Sequence, residues 1–254
     1  MIEHKFRQRG VTLVEMALVL LILGVLTRAA ITPWAAVQKH RNYRLAEHQL
    51  QTIKEGIWAH VIASGVLPCP LALNQLPVSV GLTMTPVGAL QQGSVGQGHC
   101  RITQGGVPAR ELGLAGSLSS SGALLDPWNR PYQLAVSLVS HAERGSVSQP
   151  DWTTVGEVSS VGIAEMVADL VLCNRAVGAR CPGTDTRANQ LTFVVFSTGA
   201  DASSAGEQSE NQDADTVFTL LEQSVSAESP FDDLLIWGTA SETLYWMLRA
   251  GWLP

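Results

Sequence analysis

Sixteen consecutive residues, Val11 to Leu26, carry one ionisable side chain, Glu15, in an otherwise apolar run that includes Leu18-Val19-Leu20-Leu21-Ile22-Leu23. A stretch of ~20 apolar residues is what a helix needs to cross a bilayer. Ahead of it lies a charged start with Lys5, Arg7 and Arg9, closed by Gly10. A carboxylate inside hydrocarbon costs on the order of 3 kcal/mol or more, so Glu15 calls for a partner. A cleaved secretory signal needs a small-residue site after the apolar core, and Thr27-Arg28-Ala29-Ala30 is a poor one. A plain anchor accounts for the hydrophobicity and leaves Glu15 unexplained. Cleavage after Gly10, with the apolar segment retained, accounts for both. The freed amine of Val11 and the Glu15 carboxylate then stand about one helical turn apart, and neighbouring chains can neutralise them pairwise.

Gly10, followed by Val11-Thr12-Leu13-Val14-Glu15 and the apolar run, resembles the class III leader of type IV prepilins and type II secretion pseudopilins. The resemblance implies a prepilin peptidase that cuts after Gly10 and methylates the new terminus at Val11, where such leaders usually carry phenylalanine. It implies assembly through Glu15 with other pilin or pseudopilin subunits, and an inner-membrane assembly platform as a further partner. It also implies a single-pass inner-membrane protein with a periplasmic C-terminal domain, later extracted into a filament. The fold expected is α+β and pilin-like, a long N-terminal helix packed on an antiparallel sheet. The domains expected are a leader at 1–10, a transmembrane half-helix at 11–37, an amphipathic half-helix at 38–65 and a globular domain at 66–254.

Net charge is −6, and −8 once Glu3, Lys5, Arg7 and Arg9 are removed (one negative and three positive charges). That balance argues against nucleic acid as a partner. Cys69, Cys100, Cys173 and Cys181 all follow the helix. In the periplasm they form disulfides, with Cys69–Cys100 and Cys173–Cys181 the simplest of three pairings; sequence alone leaves the choice open. Zinc is the weaker reading, because no C-x-x-C pair occurs.

From Lys39 onward polar residues alternate with Leu45, Leu50, Ile53, Ile57, Trp58, Val61 and Ile62 at helical steps, which predicts an amphipathic continuation ending at Ser64-Gly65. Pro33 is expected to bend or locally open the helix. Residues 66–125 read as a long irregular connector concealing short elements. Strands are predicted at 132–139, 191–197, 216–221 and 234–237, with helices at 161–173 and 242–249.

Between Ala188 and Leu248 there is no Lys or Arg but there are ten acids. Carboxylates gathered in one loop repel, and a hard cation relieves them. The alternative is a solvated acidic loop. Asp126-Pro127-Trp128-Asn129-Arg130-Pro131-Tyr132, Ser197-Thr198-Gly199-Ala200-Asp201 and Asp233-Leu234-Leu235-Ile236-Trp237 resemble pseudopilin segments, the last two of which frame a calcium loop in the major pseudopilins. The resemblance supports Asp201 and Asp233 as calcium ligands, while Glu210, Asn211, Asp213, Asp215 and Asp232 rest on charge. Asp126 with Asn129 also reads as ordinary turn chemistry around a buried Trp128. No nucleophile elbow, H-E-x-x-H or P-loop lysine occurs, so the chain is not expected to be an enzyme. The expectation is a structural subunit, minor pilin or pseudopilin; the alternative is a filament-tip adhesion module that binds a surface or a secreted substrate.

Overall fold

The computed structural model describes residues 12–73, 100, 102–137, 152–201, 207–222 and 231–253, with backbone alone at 26, 28–36, 157, 161 and 165. The predicted cleavage and methylation positions, Gly10 and Val11, lie outside the described residues. The chain divides into two compact units, Met1–Arg44 and Leu45–Pro254. The division falls inside a continuous helix.

The first unit is the leading part of α1 (Leu13–Ser64), a helix of 52 residues that is not ended by Pro33. Every residue from Leu13 to Val25 is exposed, Leu13 at 87% and Val25 at 64%. A helix apolar on all sides belongs in a core or a membrane. Among the described residues no helix is long and apolar enough to cross a membrane.

The second unit begins with the rest of α1. Ala46, Leu50, Ile53, Ile57 and Val61, three or four residues apart, are at most 3% exposed and form the buried stripe. Leu45 and Ile62, predicted on that stripe, are 45% and 41% exposed. Leu45 and Ile62 each lie one step, about 100°, off the ends of the stripe. The helix stops at Ser64 as expected, with the Gly65 N–H donating to the Val61 carbonyl.

The sheet contains β1 (Gln104–Gly106), β2 (Gln133–Val136), β3 (Leu170–Cys173), β4 (Thr186–Ser197), β5 (Val217–Thr219) and β6 (Leu234–Thr239). β4 is the organising strand and pairs antiparallel with β2, β3 and β6; β1 pairs antiparallel with β2. β3 and β5 run parallel in register Val171↔Val217. The sheet is therefore mixed, not wholly antiparallel as expected. A parallel pair needs a long crossover, which the 43 residues between Cys173 and Val217 provide (217 − 173 − 1).

Between these strands stand α2 (Glu157–Val161), a 3₁₀ turn at Ile163–Glu165, and α3 (Glu207–Glu210). Residues 161–173 are thus not one helix. Leu170-Val171-Leu172-Cys173 is a short apolar run that fits either period, and strand neighbours on both sides draw it into the sheet. The described part of the 66–125 connector contains β1 and the single bridges Leu71↔Gly106, Pro108↔Ala123 and Leu118↔Leu124. Such bridges leave no repeating pattern in sequence. The cysteines pair as Cys69–Cys100 and Cys173–Cys181, with Cα atoms 5.3 and 5.5 Å apart.

The chain closes with α4 (Ala240–Ala250), started by a capping box. The Thr239 hydroxyl accepts from the Glu242 N–H and the Glu242 carboxylate accepts from the Thr239 N–H. The core centres on β4, whose residues from Leu191 to Ser197 are all buried. Phe193 meets Trp58 of α1 edge to face at 5.0 Å, while Val194 and Phe196 join Leu172 and Phe218 in a second cluster. A side chain at Gly238 would collide with the rings of Phe193 and Trp58, so only glycine lets β6 lie this close.

Candidate functional site

At the start of α1 the Thr12 hydroxyl accepts from the Glu15 backbone N–H at 3.3 Å, and the Thr12 carbonyl accepts from the Met16 N–H. Thr12-Leu13-Val14-Glu15 is therefore also a helix-start sequence of the T-x-x-E type. Glu15 sits in the first turn, where the helix dipole favours a negative charge by ~0.3–1 kcal/mol. The carboxylate thus has a local role at the helix start.

In the second unit, the turn at 126–132 and the loop at 197–201 form a single structure. Asp126 is 4% exposed. Its Oδ1 accepts from the N–H groups of Trp128 (2.9 Å) and Arg130 (2.8 Å), and its Oδ2 accepts from the Ser197 hydroxyl (2.7 Å). Arg130 donates from Nη1 to the Gly199 carbonyl (2.6 Å) and from Nη2 to the Ala200 carbonyl (2.8 Å). The region that lacks Lys and Arg over sixty residues thus receives a cation from a distant turn. Gly199 takes φ 64°, and a Cβ there would collide with Asp232, so the turn requires glycine.

The seven predicted calcium ligands do not converge. Asp232 holds the loop: its Oδ2 accepts from the N–H groups of Ala200 (2.5 Å) and Asp201 (3.1 Å), and its Oδ1 accepts from Gln208 Nε2 (2.8 Å). Asn211 is fully buried and ties β5 in place, donating to the Thr219 carbonyl and accepting from the Thr219 N–H at 2.8 Å. The same amide donates to Asp233 Oδ2 at 2.7 Å. Asp201, Asn211, Asp232 and Asp233 thereby serve the fold's own hydrogen bonds. Asp233 is 1% exposed, and its Oδ1 has no hydrogen-bond partner. Burial first, then the charges of Asp232 and Asp201, raises its pKa from 3.8 to about 7 against the opposing Asn211 bond.

Glu210, Asp213 and Asp215 do gather, each offering a carboxylate oxygen within 4.8 Å of the others. Desolvation, then repulsion by Asp215, Asp213 and Glu207, lifts Glu210 to about 7, and Asp215 is raised chiefly by desolvation. Oxygen-only donors at this spacing suit a hard cation, which takes six to eight oxygens and would draw the remainder from backbone and water.

The family model for the prokaryotic N-terminal methylation motif matches residues 5–27. The chain carries a prokaryotic N-terminal methylation motif. That assignment is consistent with a protein of the type IV pilin and pseudopilin family, and the motif spans Gly10, Val11 and Glu15. No curated protein and no solved structure matches the chain. The motif lies entirely in the first unit.

Sequence reasoning missed two participants. Arg130 lies in the 126–132 turn, and nothing in its local sequence connects its charge with the Gly199 carbonyl 69 residues on. Thr12 was legible as the first residue of T-x-x-E. Asp126 behaves as turn chemistry predicts and is further engaged to Ser197, whereas Trp128, expected to be buried, is half-buried.

Proposed function

We propose that the chain is a structural, non-catalytic, pilin-like subunit, a minor pilin or pseudopilin of a type IV pilus or type II secretion filament. The observation that carries this reading is the methylation motif over residues 5–27. A prepilin peptidase cuts after Gly10 and methylates Val11. The apolar helix anchors the subunit in the inner membrane through an assembly platform, with the cysteine-bearing unit in the periplasm. It then bundles with the helices of other subunits, where Glu15 meets a neighbour's freed amine. The wholly exposed apolar surface from Leu13 to Val25 supports this, since a surface of that kind requires a membrane or a partner.

Mass spectrometry of protein from its native host tests the reading. It should find a chain beginning at Val11 with one added methyl group; retention of Met1, or loss of the whole apolar segment, refutes it. Calcium held by Glu210, Asp213 and Asp215 is a separate part of the proposal. Its chemistry would be neutralisation of three repelling carboxylates and ordering of the loop between α3 and β5. Calcium at a hundred times its Kd should raise folding stability by ~2.7 kcal/mol, seen as a higher Tm than with chelator. Coincident melting curves exclude it.

A further inference from the structure

A cavity of about 380 Å³ opens between the second half of α1, the end of β5 and the start of β6. Leu50, Leu220, Leu234 and Ile236 contribute to its apolar wall, and Asp233 and Glu47 also line it. Its volume is in the range of organic ligand sites. The bottom of the charge ledger is unusual. Asp233 is buried with one oxygen unpartnered, and among the described residues neither Asp233 nor Glu47 has an ion-pair partner. Residues 188–248 contain no Lys or Arg that could answer them. Arg187 donates instead to the Leu220 carbonyl at 3.2 Å.

The walls decide what kind of cation fits. A hard metal ion needs six to eight oxygen ligands, and this cavity offers leucine and isoleucine with two carboxylates. An ammonium or guanidinium on an aliphatic stem fits both parts, since lysine and arginine lay their methylenes along apolar surface and keep the charged head on a polar group. Leu220, Leu221, Leu235 and Ile236, which line the cavity, are only half-buried, so its apolar wall stays open to the stem of an incoming side chain. We infer that this cavity receives a lysine or arginine side chain of a partner polypeptide, its charged head on Asp233 and its stem along the leucine wall. The inference does not depend on the filament reading.

The full chain in detergent micelles is titrated calorimetrically with acetyl-Leu-Lys-Leu-amide, with the same peptide carrying norleucine in place of lysine, and with n-butylammonium. Hydrogen bonds to charged groups set the scale, so the lysine peptide should saturate and bind about tenfold tighter than the norleucine peptide. Asp233→Asn should weaken the lysine peptide by about the same factor, and Glu47→Gln, at the exposed rim, by about threefold or less. Equal affinity of the two peptides, unchanged binding by a folded Asp233→Asn variant, or absence of saturation at millimolar lysine peptide overturns the inference. Butylammonium binding as tightly as the peptide overturns the polypeptide source. If Asp233→Asn does not fold, the lysine-to-norleucine ratio in the unaltered chain and the effect of Glu47→Gln decide.

Discussion

Replacing Asp126 by alanine removes one buried carboxylate that accepts three hydrogen bonds, from the N–H groups of Trp128 and Arg130 and from the Ser197 hydroxyl, at 2.7–2.9 Å. A hydrogen bond to a charged group contributes ~1.5–3 kcal/mol, and donors left buried without a partner carry their own desolvation cost. Because the three bonds share one group they do not add fully, and a loss of about 4 kcal/mol is expected for Asp126→Ala. Asp126→Asn keeps an oxygen for both backbone amides and alters only the bond to Ser197, so about 1 kcal/mol is expected. Against a total stability of ~5–15 kcal/mol the first change is severe and the second mild. Urea unfolding of the full chain in nonionic detergent, followed by tryptophan fluorescence, measures both. A double-mutant cycle with Ser197→Ala should return a coupling of about 1 kcal/mol, since the two side chains touch. The reasoning fails if Asp126→Ala costs under about 1 kcal/mol, or if asparagine is as damaging as alanine.

Glu15→Ala should leave leader cleavage intact and impair assembly; normal filament or secretion levels in that variant would refute the pairing role. The Asp233 carboxyl has a folded pKa of about 7 against an ordinary 3.8, so the folded chain holds this proton more tightly than the unfolded one. Its contribution is therefore most favourable below about pH 4 and is lost as pH rises through 7, by at most about 4 kcal/mol at ~1.36 kcal/mol per unit. The stability of Asp233→Asn relative to the unaltered chain should accordingly rise from pH 4 to 8, and a flat difference across that range contradicts the burial argument. Loop-closure entropy assigns about 3.7 kcal/mol to Cys69–Cys100 and about 2.5 to Cys173–Cys181, whose sequence separations are 31 and 8. Paired serine substitutions should destabilise in that order, and the reverse order shows that loop entropy does not govern them.

Several features were legible in local sequence. The apolar stripe of α1 recurs at three- and four-residue steps, and Ala46, missed for its small size, lies on it one turn before Leu50. The runs at 191–197, 216–221 and 234–237 are rich in strand formers and contain or lie within β4, β5 and β6, with β5 shorter at Val217–Thr219. Residues 170–173 were misread because four apolar residues carry no decisive period; β4 and β5, not propensity, make them a strand. The acidic residues divide in space for a related reason. Charge density identified the acidic segment, while the partition among hydrogen-bond acceptors depended on Ala200, Gln208 and Thr219, which no charge count includes.

What can be read without coordinates is covalent or periodic: a glycine and an acid five residues apart before an apolar run, a helix stripe, runs of strand formers, four cysteines. Coordinates were needed wherever the outcome depends on groups distant in the chain. The parallel β3–β5 pair, the hold of Arg130 on the Gly199 and Ala200 carbonyls, and the unpartnered oxygen of Asp233 each arise from such meetings. Desolvation and hydrogen-bond geometry act through space at a few ångströms, and spacing along a chain does not encode them.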